Sequence, residues 1–357
     1  MTRPTTSIRT GLALAAALGI GLALLSSCRR SSGLPAAPSP VEVRVGYFPN
    51  ITHSQALIGL ARGDFAAALG PGYTLTPTQF NAGPSVIEAL FAGQIDLAYI
   101  GPNPAVNGFV RSQGEALRVV AGATSGGASL VARAGSPLAA SEFEGAKIAS
   151  PQLGNTQDVA LRAYLFEHGL KPAEKGGTVA VLPVENPQIL DLMRLGQIDG
   201  AWVPEPWASR LIVEGGGALL IDERELWPGG QFSTAVVIVS TRFLQAHPQA
   251  VRAWLSAHVA ITLWEREHPS EATAIVNREI ERLTGKALPP EVLNQAWSRL
   301  EPTYDPLYSS ILGSAQHAYE VGYLTEPPLL AGLADLALLN EVLVERGLPA
   351  VEAQDTP

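Results

Sequence analysis

The 357 residues hold 33 acidic and 24 basic side chains, and the net charge of −9 argues against nucleic acid as a partner, because that affinity comes from Lys and Arg on phosphates. Cys28 is the single cysteine, which excludes an intramolecular disulfide and any multi-thiolate metal site. The six histidines are scattered without metal-ligand spacing, so no metal and no cofactor is expected.

The chain opens as a secretion signal over residues 1–27. Arg3 and Arg9 supply a positive start, and residues 11–25 are an unbroken apolar run. Fifteen residues is short for a membrane span, which needs about 20, and suits a signal core instead. The run ends in Leu25-Ser26-Ser27-Cys28, the pattern of a bacterial lipobox. Cys28 is therefore expected to carry lipid and to anchor the chain on the extracytoplasmic or periplasmic side of a membrane. Residues 28–40 are rich in Ser, Pro, Gly and Ala and read as a flexible tether.

From residue 41 the pattern runs strand, helix, strand, helix, strand to residue 100, the rhythm of a parallel α/β lobe. The same rhythm returns over residues 146–203. The stretch from Pro84 to Ala98 aligns with that from Pro187 to Ala201 at a constant offset of 103, and Gly-Gln-Ile-Asp is identical in both. A Pro-x-Pro follows each, at Pro102 and Pro204, and reads as a rigid proline loop. Residues 122–133 and 233–240 combine small and β-branched residues and are expected to cross between lobes. The expected layout is therefore a first lobe over 41–127, a second over 128–232, and a return strand with C-terminal helices over 233–357 packing on the first. Trp254, Trp264 and Trp297 have helical apolar spacing and read as core.

In open α/β sheets ligands bind beyond the carboxyl ends of the strands. That rule selects loops rich in Asn, Gln, Ser, Thr and Gly. Their candidate ligand-binding residues are Asn50, His53, Asn81, Ser85, Asn103, Ser125, Gly154, Asn155, Thr156, Gln157, Glu205 and Trp207. Gly154 to Gln157 lie directly ahead of a helix, whose free N–H groups and dipole favour an anion. Asn155 or Thr156 as a plain helix cap explains the same pattern. The candidate loops hold no Lys or Arg, so a bound anion would be held by amides and hydroxyls. Glu205 would repel a bare anion or pair with an amine on the ligand; a solvent-facing loop charge or a partner for Arg210 is the alternative.

The segments VGYFPNITHSQALIGLARGDF, GPSVIEALFAGQIDLAYIGPNPA, GNTQDVALRAYL and GQIDGAWVPEPWASRL resemble the substrate-binding proteins of ABC importers for nitrate, alkanesulfonates and taurine, with relatives that bind a thiamine-related pyrimidine. The resemblance runs from residue 41 to about residue 243 and thins beyond. It implies a type II periplasmic-binding fold, α/β and two-lobed on a two-stranded hinge; the helical C-terminal region is read from the residues after 241 themselves, whose helical segments are broken by prolines. The resemblance also implies docking on an ABC permease with ATPase subunits, to which a small molecule would be delivered; the chain is expected to be a monomer. A sulfonate-type anion or zwitterion suits loops without Lys or Arg; Asn50 and His53 keep a planar nitrogen heterocycle open, and nitrate is a further alternative. No nucleophile elbow, catalytic cysteine or phosphate loop is present, so no catalytic residue is expected and a binding role is favoured over an enzyme or a lipid-tethered sensor.

Overall fold

The computed structural model describes residues 39–353. The expected signal segment, Cys28 and the tether up to residue 38 lie outside them.

The first sheet begins with β1 (Val41–Tyr47), followed by α1 (Ser54–Arg62), α2 (Asp64–Leu69), β2 (Tyr73–Gln79), α3 (Gly83–Phe91), β3 (Leu97–Ile100), α4 (Pro102–Arg111) and β4 (Leu117–Gly126). The second holds β5 (Ala128–Arg133), β6 (Lys147–Ser150), α5 (Thr156–Glu167), β7 (Ala180–Pro183), α6 (Asn186–Arg194), β8 (Gly200–Pro204), α7 (Trp207–Val213) and β9 (Gly217–Asp222). The chain then returns through β10 (Ser233–Ser240) to α8 (Thr241–Ala246), α9 (Pro248–Glu267), α10 (Pro269–Thr284), α11 (Pro290–Ser298), β11 (Leu300–Pro302), α12 (Tyr308–Glu320) and α13 (Ala337–Glu345).

The six-stranded sheet has the order β11-β4-β10-β3-β1-β2 and the five-stranded sheet the order β7-β6-β8-β5-β9. β1, β2 and β3 are parallel, as are β6, β7 and β8; β10 and β5 run antiparallel to their neighbours. All eight residues of β10 are buried, as its unbroken apolar and small-residue run requires of a central strand covered on both faces. Between β4 and β5 the chain turns through Gly126 (φ 71°) and Gly127 (φ 77°), a left-handed pair that only glycine adopts without strain.

The internal repeat has a structural purpose in each sheet. Gly93 and Gly196 both end a helix with φ 66°, as left-handed caps. Ile95 and Ile198, each 1 % exposed, anchor the next strand in the core. Asp96 then accepts from the Arg44 N–H of β1 at 3.0 Å, and Asp199 from the Lys147 N–H of β6 at 2.9 Å. Arg44 and Arg133 clamp the two carboxylates in turn. The motif thus fixes the register of the central parallel pair in both sheets.

Two expectations are corrected. The first Pro-x-Pro is no loop: Pro102 and Pro104 lie in the first turn of α4, where a missing N–H costs nothing and φ is already helical. The C-terminal helices touch both sheets' elements: α9 packs on α2, but α11 packs on α7 and α12 on α5. Trp254 is fully buried and stacks on Phe65 at 3.6 Å, whereas Trp264 and Trp297 are only half-buried.

Candidate functional site

Every parallel strand sends its carboxyl end to one small polar pocket of about 20 Å3. β1 brings Asn50, Thr52 and His53, and β2 brings Asn81 and Gly83. β3 brings Gly101, β6 brings Asn155, Thr156 and Gln157, β7 brings Asn186, and β8 brings Pro204. Gly83, Thr156 and Asn186 are the first residues of α3, α5 and α6, and Gly101 caps α4. Four helix amino ends therefore converge, and their dipoles sum to a positive potential without any charged side chain on the wall.

His53 is 2 % exposed and stacks on Phe48 at 4.4 Å. Its Nδ1 accepts from the Phe48 N–H at 3.1 Å, which places the ring proton on Nε2. Burial lowers its pKa to about 3, so the ring is a neutral donor at physiological pH. Thr156 is 5 % exposed, and its Oγ1 has no hydrogen-bond partner. The Asn186 side-chain oxygen is likewise buried and unpartnered, and that amide can accept or donate. Leaving such groups unsatisfied costs about 1–3 kcal/mol each, which a ligand would recover.

The β6 loop is held by Asp158. It accepts from Ser150 Oγ at 2.6 Å and from the Gly154 N–H at 2.9 Å, pairs with Arg162, and accepts from the Tyr323 hydroxyl. The Asn155 side-chain oxygen accepts from the Gln157 N–H at 2.8 Å, so Asn155 is the cap of α5 as well as a pocket residue.

Two larger cavities flank this pocket, and Asn81 and Asn186 line all three. One, of about 330 Å3, lies against Asn50, Trp207, Leu283 and Leu288 and carries Arg210 and Lys286. Both cations are bound to Glu214, at 2.8 and 3.2 Å. The other, of about 530 Å3, includes Ser85, Gln152 and Glu185. The two sets of loops touch across the gap: Trp207 Nε1 donates to Asn50 Oδ1 at 3.2 Å, and Asn81 Nδ2 donates to Glu185 Oε2 at 3.4 Å.

Four candidates fall outside this arrangement. Glu205 is fully buried and points back onto its own helix: it accepts from the Ser209 N–H at 3.0 Å and pairs with Arg299 at 2.9 Å. Burial pushes its pKa up, opposed by Ser209 and Arg299. Its partner is thus Arg299, and Arg210 pairs with Glu214 instead. Asn103 is held by Ser314, donating to its carbonyl at 3.0 Å and accepting from its hydroxyl at 2.9 Å. Ser125 lines a separate cavity with Arg224 and Arg299. Gly154 supports the β6 loop through its N–H rather than lining the pocket.

Asn186, Thr52, Arg210 and Lys286 were not among the candidates. Asn186 was within reach, because the 103-residue offset pairs it with Gly83 at the start of the equivalent helix. Lys286 carries no such signal, since it follows α10 and reaches the cleft only through tertiary packing.

Residues 36–278 match the NMT1-like family over its family pattern. The chain belongs to the NMT1-like family. Over 201 residues it is 27% identical to the taurine-binding periplasmic protein of Escherichia coli, an alignment covering 56% of this chain and 60% of that protein. The alkanesulfonate-binding protein SsuA from Xanthomonas axonopodis bound to MOPS is 21% identical, with a TM-score of 0.69 over 84% of this chain and 100% of that one. The periplasmic nitrate-binding protein NrtA from Synechocystis is 16% identical, with a TM-score of 0.70 over 88% of this chain and 91% of that one. This NMT1-like chain has the type II periplasmic-binding fold of those structures.

Proposed function

We propose that this chain is the substrate-binding protein of an ABC importer. It would be held on the extracytoplasmic face by lipid on Cys28 and would capture a small sulfonate-type oxyanion between its two lobes. The observation that carries this reading is the buried Thr156 hydroxyl, unpartnered among converging helix amino ends and beside the neutral donor His53. Hydroxyls, amides and helix dipoles can hold an oxyanion without a salt bridge. The names of the relatives support the class: taurine, alkanesulfonate and nitrate are all small and anionic or zwitterionic. Delivery would be to a permease with ATPase subunits, by a monomer whose lobes close on the ligand.

Titration with ethanesulfonate, 2-aminoethanesulfonate and nitrate tests the reading, with Thr156→Val as the variant. Valine keeps the shape and removes the hydroxyl. The unliganded protein should melt at nearly the wild-type temperature, while the oxyanion should bind at least tenfold more weakly. Unchanged affinity in Thr156→Val would remove the hydroxyl from the site, and a failure of all three ligands to bind would remove the oxyanion reading.

A further inference from the structure

We infer that the buried pair of Arg299 and Glu205 is a latch on the hinge, through which Arg299 holds the two lobes at the angle where the cleft loops meet. The inference rests on the fold and does not depend on which solute is bound.

The chain passes from the first sheet to the second at Gly126 and Gly127, and the four backbone polar groups of this pair are all taken. Gly126 looks to the return strand: its N–H donates to the Phe232 carbonyl at 3.1 Å, and its carbonyl accepts from the Thr234 hydroxyl. Gly127 is divided between the sheets. Its N–H donates to the Arg299 carbonyl at 2.8 Å, and Leu300, the next residue, pairs with Gly126 in the first sheet. Its carbonyl accepts from the Glu205 N–H at 2.8 Å, which extends the pairing of β5 with β8 in the second. The side chains of the two holders then meet. Arg299 Nη1 donates to Glu205 Oε1 at 2.9 Å and to Ser209 Oγ at 2.8 Å. Gly127, Arg299 and Glu205 thus close a ring, one side of which is a contact between side chains.

Rotation about the φ and ψ of Gly127 swings its carbonyl, β5 and the second sheet away from its N–H and β11. The two backbone bonds can follow, because each moves with its own sheet. The bond between the side chains runs from one sheet to the other, so opening breaks it. Stability does not account for the pair. The Glu205 side chain is 0 % exposed and that of Arg299 13 %, and burying such a pair costs about as much as its attraction returns. What it supplies is one fixed geometry. The pair is also placed to feel the site: Pro204, one residue before Glu205, lines the small pocket, and Trp207, two residues after, donates to Asn50 across the cleft. A solute against that turn and the latch favour the same arrangement, so each strengthens the other. Arg299 is a positioning residue, acting on the solute only through the lobe angle.

The test is small-angle scattering of the full chain without solute, followed by titration with 2-aminoethanesulfonate. Arg299→Met alone strands a buried carboxylate and can fail to fold, so it is combined with Glu205→Gln, which removes the charge. Without solute the double variant should have a larger radius of gyration than the wild type. It should reach the wild-type radius at saturating 2-aminoethanesulfonate and bind it about tenfold more weakly, because less of the chain is in the competent arrangement. Arg299→Lys keeps the charge and a single donor nitrogen, and should stay as compact as the wild type. A double variant with the wild-type radius before solute is added overturns the latch and leaves the pair as packing of α11 on α7. A double variant still expanded at saturation overturns it as well, since the hinge would then be damaged rather than released, and so does an Arg299→Lys chain as expanded as the double variant. If 2-aminoethanesulfonate binds no chain, the radius without solute still decides the latch, and the failure counts against the oxyanion reading alone.

Discussion

The indole of Trp207, at the start of α7, donates to the side-chain oxygen of Asn50, on the loop after β1, at 3.2 Å. The two residues belong to elements of different sheets, so the bond spans the cleft. Asn50 is 6 % exposed, and loss of the donor would leave its oxygen with a desolvation cost in the closed form. Trp207→Phe should therefore weaken ligand binding by roughly two- to tenfold, the equivalent of about 0.5–1.5 kcal/mol for one hydrogen bond. The loss should be found in the dissociation rate, measured by stopped flow, with association nearly unchanged. A wild-type dissociation rate in Trp207→Phe would make the contact a bystander.

Four fully buried titratable groups set a second expectation, on stability against pH. Burial lowers His53 from 6.5 to about 3 and His258 to about 4. Burial raises Glu223 from 4.5 to about 7 and Glu265 to about 8. As pH falls below 6.5, the unfolded chain takes up protons at the histidines that the folded chain refuses, so stability declines on the acid side. As pH rises above 4.5, the unfolded chain releases carboxyl protons that the folded chain keeps, so stability declines on the alkaline side until pH passes about 8. Between 4.5 and 6.5 the two trends oppose each other, and these groups should give a plateau there. Melting temperatures across pH 4 to 9 should show it, and Glu265→Gln should flatten the fall between 6.5 and 8. A Glu265→Gln curve parallel to the wild type would show that Glu265 ionises normally.

The parts of the fold and site legible in the sequence are those with local causes. The Gly-Gln-Ile-Asp repeat marked both sheets because its Gly, Ile and Asp each have a local task, as cap, core anchor and strand clamp. Asn50, His53, Asn81, Asn155, Thr156 and Gln157 follow from one rule about strand ends. Glu205 misled because a loop position says nothing of side-chain direction: with Ser209 four residues on, the carboxylate turns back to the first turn of its own helix. Arg299 and Lys286 were beyond local reading. Arg299 meets Glu205 across 94 residues of chain, and no periodicity announces a contact of that range.

A final prediction concerns Gly101 and its nearness to Thr156. Gly101 has φ −69° and ψ 152°, a conformation open to any residue, so its backbone does not require glycine. The space does. A Cβ at this position would lie 2.3 Å from Thr156 Oγ1 and 3.3 Å from Thr156 Cβ, at the start of α5 on the facing side. Gly101→Ala should consequently leave the unliganded fold intact and obstruct the approach of the two loops. Ligand affinity should fall at least tenfold, and the compaction expected on binding, read by small-angle scattering, should be lost. The partner variant separates sterics from chemistry. Thr156→Ala removes the hydroxyl that meets the new methyl group, so Gly101→Ala with Thr156→Ala should compact again when ligand is added in excess, although affinity stays low because the hydroxyl donor is gone. If the double variant remains as open as the single one, the close approach of Gly101 and Thr156 is not what limits closure.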